Sequence, residues 1–543
     1  MTRFRMLCSI IAALSVALPA AAHEPGDRAG AHTSGSVHFP ISCSAAAQPQ
    51  FDHAVALLHS FWYEEAVKAF AEVAATDRSC AMAQWGIAMS WWYPLWYPPS
   101  EKALWAGSSA VAQAQTLGAK TDRERAYIAA IAAFYKDFAT RDHRTRALAY
   151  EHEMEQLHER FPEDREAATF YALALDATAL PTDKTFVNQR KAAAILEKVS
   201  AEVPDHPGVA HYLIHSYDSP PLAEQGLPAA RHYAQIAPAV PHALHMPSHI
   251  FTRLGLWQES IDANKASHRV ALGYARGTLG SDGWDQETVH TADYLEYAYL
   301  QIGQDGAAQR VVEEVRGYRN GPPVTLPVAY AIAAIPARYV LERRDWAAAA
   351  TLQPASIDTT QFPWAAAITE FTHALGAART GASDAAATAI AKLAAMREGL
   401  AEAKNTYWAN QVEVQRQAAS AMMSHMQGKD GDALELMRAA ATLEASMDKH
   451  PATPGAVVPA RELLADLLLE LNRPADALKE YEATLATEPN RFRSLFGAAQ
   501  AAERAGDTAR ARTYYERLLT MTAAADTPRP ELQLAQAFIE KSR

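Results

Sequence analysis

A 34-residue spacing runs through the chain and restricts what it can fold into more than any other feature. Ala477 and Ala511 are 34 residues apart, as are Tyr481 and Tyr515, and each pair holds the same place in the strings ADALKEYEATL and ARARTYYERLL. A short turn precedes each string, Leu471-Asn472-Arg473-Pro474 in one and Ala505-Gly506-Asp507-Thr508 in the other. The small alanine lets two helices approach, the tyrosine one turn later fills the gap, and Pro489 stops the helix before the next unit. A unit of this kind cannot bury its apolar face alone, so copies must stack.

The same grammar recurs at Ala66 and Phe70 in FWYEEAVKAFAEV, around Ala192 with Pro204, around Ser260 after Arg253-Leu254-Gly255-Leu256, and around Ala308 after Gln301-Ile302-Gly303. The pattern resembles the tetratricopeptide repeat. That resemblance implies an all-α fold, a tetratricopeptide-repeat α-α solenoid in which the first helix of each unit lines a concave surface. Composition agrees: the 25 glycines and 30 prolines fall between segments, and Ala, Leu, Glu, Gln and Arg fill them. At 543 residues the chain would otherwise divide into several domains. The expected organisation is a flexible tail over residues 23–45, repeats carrying most of the histidines over 46–320, further repeats over 321–450, and a C-terminal repeat pair over 451–543. Gly321-Pro322-Pro323 and Pro451-Ala452-Thr453-Pro454-Gly455 mark breaks between groups of repeats.

Arg3 and Arg5 precede an apolar run from Met6 to Leu18, and Pro19 then leads into Ala20-Ala21-Ala22. This is the pattern of a secretory signal peptide, 1–22, cleaved before His23. The run is too short for a membrane span, and no later stretch offers eighteen uninterrupted apolar residues. The expected product is exported, periplasmic or secreted. Cys8 leaves with the signal, so Cys43 and Cys80 are the only cysteines of the mature chain, and an oxidising compartment favours their pairing. A net charge of −12 without a basic run argues against a nucleic-acid partner.

Nine of the 20 histidines fall between His206 and His290, where uniform scatter would place about three. His211 and His215 stand four apart and share a helix face, as do His245 and His249, and the two pairs are themselves 34 residues apart. Successive repeats therefore present the same pair. The apolar set Ala210, Leu213, Ile214 and Tyr217 must face neighbouring helices, which leaves the histidines on another face. Counting back from Ser260 puts His242, His245 and His249 at the second, fifth and ninth places of a concave-lining helix. Counting back from Ala308 puts His290, Asp293 and Tyr297 at those places in the following unit. Pro247 either kinks the first of these helices between His245 and His249 or begins it anew.

Imidazole suits zinc, copper, iron and nickel, so His211, His215, His245, His249, His290 and Asp293 are the candidate ligands of a transition metal, zinc or copper, in one closed site or two neighbouring ones. His242, Arg253 and Tyr297 are candidate groove residues. The competing reading makes the histidines hydrogen-bonding groups of a groove for a protein, peptide or small-molecule ligand. Trp91, Trp92, Tyr93, Trp96 and Tyr97 either wall that groove or pack as a loop onto the solenoid. Glu259 and Glu287 are candidate acid–base groups, and His23 with His32 and His38 form a possible copper-affine tail.

The strings HYLIHSYD, PHALHMPSHIFTRLGLW, HTADYLEYAYLQIG and CAMAQWGIAMSWWYPLW are similar to those of a group of exported bacterial repeat proteins. That likeness implies the compartment and the fold and carries no reaction. HExxH, GxSxG and P-loop patterns are absent. Two function classes follow: an exported binding module with a metal in its groove, and a metal-dependent hydrolase or oxidoreductase with the histidines as its active site. N-terminal sequencing of exported protein should begin at His23; a peptide retaining Met1 or Arg3 would contradict the cleavage.

Overall fold

The computed structural model describes residues 34–354 and 357–541. The signal segment, His23 and His32 lie outside the described residues. Helices follow one another in pairs: Ala47–His59 with Tyr63–Thr76, Ala81–Ser90 with Glu101–Leu117, Asp122–Tyr135 with His143–Arg160, and Arg165–Thr178 with Val187–Glu202. Pro207–Tyr217 pairs with Leu227–Ile236, and Gln286–Gln301 with Asp305–Gly317. The alternation continues to Ala460–Glu470 with Pro474–Thr487, Phe492–Arg504 with Thr508–Met521, and a terminal helix Pro530–Lys541. Alanines at the pair contacts, among them Ala66, Ala192, Ala308, Ala477 and Ala511, have no exposed surface. The all-α repeat solenoid read from the 34-residue period is the observed architecture, and among the described residues no helix is long and apolar enough to cross a membrane.

Two segments, one read as a flexible tail and one as a break between groups of repeats, are anchored. Residues 34–45, expected as part of a tail, run against the first helices: Phe39 is buried between Phe51 and Trp85, and its amide donates to Asp52 Oδ1 at 2.9 Å. Cys43 is bonded to Cys80, fixing the segment to the start of the third helix. The physical reason is the apolar pair Val37 and Phe39, which outweighs the glycines preceding them. The break at 451–455 is held against two helices of the central repeats, where the Thr453 carbonyl accepts from Tyr294 Oη at 3.1 Å and the Gly455 carbonyl from Tyr330 Oη at 2.7 Å.

The C-terminal repeats return onto the central ones. Trp257 Nε1 donates to the Asn490 carbonyl at 2.7 Å, and Asn490 Nδ2 to the Gly255 carbonyl at 3.1 Å, a separation of 235 residues along the chain. Gly255 adopts φ +64°, and a Cβ there would lie 2.2 Å from the Pro489 carbonyl oxygen, so only glycine permits the approach. Arg491 is fully buried at this contact and donates to Glu342, to Glu462 and, at 2.7 Å, to Tyr297 Oη. Further along, the Gly306 and Ala307 amides donate to the Asp526 carboxylate at 2.9 Å each, and Arg529 Nε reaches Asp305 at 2.9 Å. Removing one partner of such a buried set strands the others as uncompensated charges. Arg491→Ala should lower stability by about 3–5 kcal/mol, measured as the urea denaturation midpoint, whereas an exposed change such as Arg510→Ala should leave the midpoint nearly where it is.

Candidate metal centre

Three helices and one loop build the site. Pro207 opens the helix that carries His211 and His215, and Gly208 lets that helix close on His59, since a Cβ at Gly208 would meet His59 Nδ1 at 2.4 Å. Met246 keeps helical angles, so Pro241–His245 and Pro247–Arg253 join end to end, with Pro247 as first residue of the second piece. The junction resolves the question Pro247 raised: the helix restarts there, and His245 and His249 still converge. Asp285 caps Gln286–Gln301 by accepting from the Thr288 amide at 2.8 Å, which sets His290 on its inner face. Trp96 arrives from the aromatic loop and packs its ring 5.2 Å from those of both His242 and His290. Within that loop Trp92 packs between Phe134 and Tyr150, while Trp96 packs on the histidines.

The histidines form two sets of three, His211 with His215 and His242, and His245 with His249 and His290, each with candidate ligand atoms within 4.8 Å of one another. Within the sets, His211 Nε2 and His215 Nε2 are 3.2 Å apart, and His245 Nε2 and His249 Nε2 are 3.0 Å apart. The Nδ1 edges are committed elsewhere. His211 Nδ1 donates to the His59 carbonyl at 2.6 Å, His245 Nδ1 to Asn264 Oδ1 at 2.6 Å, and His249 Nδ1 to Asp218 Oδ2 at 2.9 Å. Asn264 Nδ2 donates to the Ser260 carbonyl at 2.8 Å, which fixes the amide so that its oxygen faces His245. His242 Nδ1 lies 3.1 Å from Glu287, and its Nε2 is buried with no hydrogen-bond partner, as is His290 Nδ1.

With Nδ1 donating, a neutral imidazole presents a bare Nε2 lone pair. Two such lone pairs facing one another at 3.0 Å repel unless a cation sits between them. The spacing is that of neighbouring nitrogens around an ion bonded at about 2.0–2.1 Å. Burial holds all six rings neutral: it lowers His215 and His242 to about 3 and His245 to about 4, and drives His211, His249 and His290 well below their ordinary value. Burial raises Glu287 to about 7. A cation bound beside it would hold that carboxylate ionised.

Behind the ligands stands a charged support. Asp218 accepts from His249, from Arg253 Nε at 2.8 Å and from Lys449 Nζ at 2.9 Å; although its own burial raises it, these cations hold its carboxyl well below the usual range. Arg253 also donates to Asp448 at 3.0 Å. Arg253, expected as a groove residue, thus orients the carboxylate that orients His249. Asp293, expected as a ligand, receives Arg338 Nη1 at 2.8 Å, and His242 takes the sixth place among the imidazoles. An arginine on a neighbouring helix claimed that carboxylate first, which no spacing in the sequence foretold. Tyr297 is buried against Trp257 and Arg491, away from the histidines. Glu259 is half exposed beside Arg231, and His38 lies against Asp52 at 3.2 Å.

Sequence reasoning missed His59, Glu166 and His206, a further buried group in which the Glu166 carboxylate bridges His59 Nε2 at 2.8 Å and His206 Nε2 at 2.9 Å. His59 stands more than 150 residues from His211 in sequence, and nothing local marks it. Asp218 was missed as well, although it is the final letter of HYLIHSYD, three residues after His215.

This arrangement defines an all-α helical-repeat protein with a histidine-lined, buried centre. Residues 463–528 match the family model of the tetratricopeptide repeat. Among solved structures it is similar to the human IFIT1 dimer with PPP-AAAA (13% identity, 90% of this chain and 92% of that chain, TM-score 0.36). It is similar also to Naa15/Naa10 bound to HypK-THB (14% identity, 91% and 74%, TM-score 0.23) and to the P58(IPK) TPR domain (16% identity, 70% and 99%, TM-score 0.21). No curated protein matches the chain.

In chelator-treated protein, the depressed histidines set the acid limb of stability. The unfolded chain takes up protons near pH 6.5, whereas the folded rings remain neutral to about pH 3–4, so the unfolded state gains protons first and stability falls with pH. The unfolding temperature should decline from about pH 6.5 to 4, the depressed histidines outnumbering the buried carboxyls of Glu287, Glu296 and Glu444, which burial raises and whose protonation acts in the opposite direction. A level profile over that interval would show that the rings are not buried.

Proposed function

We propose that this is an exported tetratricopeptide-repeat protein that holds a transition metal, zinc or copper, in its histidine centre, and that its repeats form the scaffold of an interaction module built around that metal. The observation that carries the reading is the approach of His245 Nε2 and His249 Nε2 to 3.0 Å while both Nδ1 atoms are committed to Asn264 and Asp218. Hydrogen-bonding second partners of this kind fix the tautomer and raise the basicity of a metal-binding imidazole. A groove for a peptide would leave these rings open to solvent, yet His211, His245 and His249 are buried. The Arg3, Arg5 and Met6–Leu18 pattern and the Cys43–Cys80 pair support an oxidising compartment outside the cytoplasm.

An interaction surface is available beside the centre. A cavity of about 460 Å³ is bordered by Arg253, Lys449, Tyr407 and Trp408, and two of these residues also hold Asp218. A ligand seated there would touch the support of His249.

Elemental analysis of protein recovered from its native compartment should find zinc or copper. Replacing both His245 and His249 by alanine should abolish it with helical circular dichroism retained, because stacking of the apolar faces holds the repeats together. Asp218→Asn should weaken metal affinity by about 10–100-fold. Metal content unchanged by the double replacement would reject the reading.

A further inference from the structure

The six imidazoles are not one coordination sphere. Six nitrogens around one ion at about 2.1 Å would set opposite pairs about 4.2 Å apart and use every ring. Instead the rings divide into two triads, each compact in itself, and the triads meet through His215 with His249 and His242 with His245, both at 5.8 Å between ring centres. Neither triad contains a carboxylate or thiolate.

Charge decides which ions fit. Asp218 is already matched by Lys449 and by Arg253, which Asp448 shares. Glu287 is the carboxylate that touches a triad with no lysine or arginine bonded to it among the described residues. Two divalent ions would place four positive charges in this dry enclosure, against two for a monovalent pair, and uncompensated buried charge is costly. Copper in its cuprous state is the monovalent ion among those that imidazole binds. Three neutral nitrogens per ion leave a vacant direction on each.

We propose that the centre binds two copper(I) ions, one in each triad, and that its ligand is dioxygen held between them. The inference rests on the metal reading above and specifies its number, its element and its substrate class. Each copper(I) gives one electron, dioxygen becomes a bound peroxide dianion, and both ions become copper(II); no proton or further reductant enters. The two added positive charges are cancelled by the peroxide, so the enclosure carries the same net charge before and after. Phe61, 4.4 Å from His211 between ring centres, and Trp96, beside His242 and His290, wall the triads with apolar surface.

The test titrates full-length, chelator-treated protein with copper(I) under nitrogen and then admits air. Two equivalents should bind, and air should produce a near-ultraviolet peroxide-to-copper charge-transfer band with no copper(II) paramagnetic signal, because the two spins couple through the bridge. His215→Ala and His290→Ala should each bind one equivalent and give no band, with helical circular dichroism unchanged. One equivalent in the unaltered protein, or two that give isolated copper(II) signals and no band, would overturn the proposal while leaving a metal centre in place. Failure to take up copper or zinc at all would overturn the metal reading itself.

Discussion

The return of the C-terminal repeats onto the central ones, sealed at the buried Arg491, is the contact on which the rest of the structure depends. A stack of helix pairs meets only its neighbours and leaves an open concave face. Here Arg491 joins Glu342, Glu462 and Tyr297, while Trp257, Gly255 and Asn490 lock the backbone beside it. The ion pairs are costly to form in a dry interior, but once made they admit one register, because any shift leaves charges without partners. A solenoid that would otherwise flex is held closed.

Closure changes what the concave histidines are. On an open groove they would be solvated, with ordinary acidity and freely rotating rings. Enclosed under Trp96, Tyr294 and the 448–455 segment, they lose solvent and remain neutral, and four of them, His211, His242, His245 and His249, gain a fixed partner for Nδ1: a carbonyl, an amide or a carboxylate. The tautomers are thereby set by the protein, and the free nitrogens point at one another. Lys449 and Arg253 carry the influence of the 448–455 segment and of the neighbouring cavity to Asp218, and through it to His249. The scaffold, the electrostatics and the ligand set are one construction.

Much of this was legible residue by residue. The 34-residue interval between the His211–His215 and His245–His249 pairs fixed their repetition, and the i, i+4 spacing fixed a shared face, because helical geometry is local. Cys43 and Cys80 were legible by elimination. Asp293 was placed correctly on its helix face and assigned the wrong company, since Arg338 lies on another helix. The anchoring of residues 34–45 was hidden behind glycines and serines that surround one decisive aromatic, Phe39. His59 had no local signal, because it reaches the site from a distant repeat; Trp96 stood out in its aromatic run, but its contact with His242 and His290 did not.

The sequence by itself determined the repeat, the helical class and the direction of most of the imidazoles. Those properties follow from periodicity and from interactions within one or two turns of helix. Only the tertiary structure decided that the groove is closed, that the six rings sort into two triads, and which carboxylate serves an imidazole and which an arginine. These depend on contacts between residues as far apart as 235 positions, set by packing and by the cost of buried unpaired charge, neither of which a local pattern encodes.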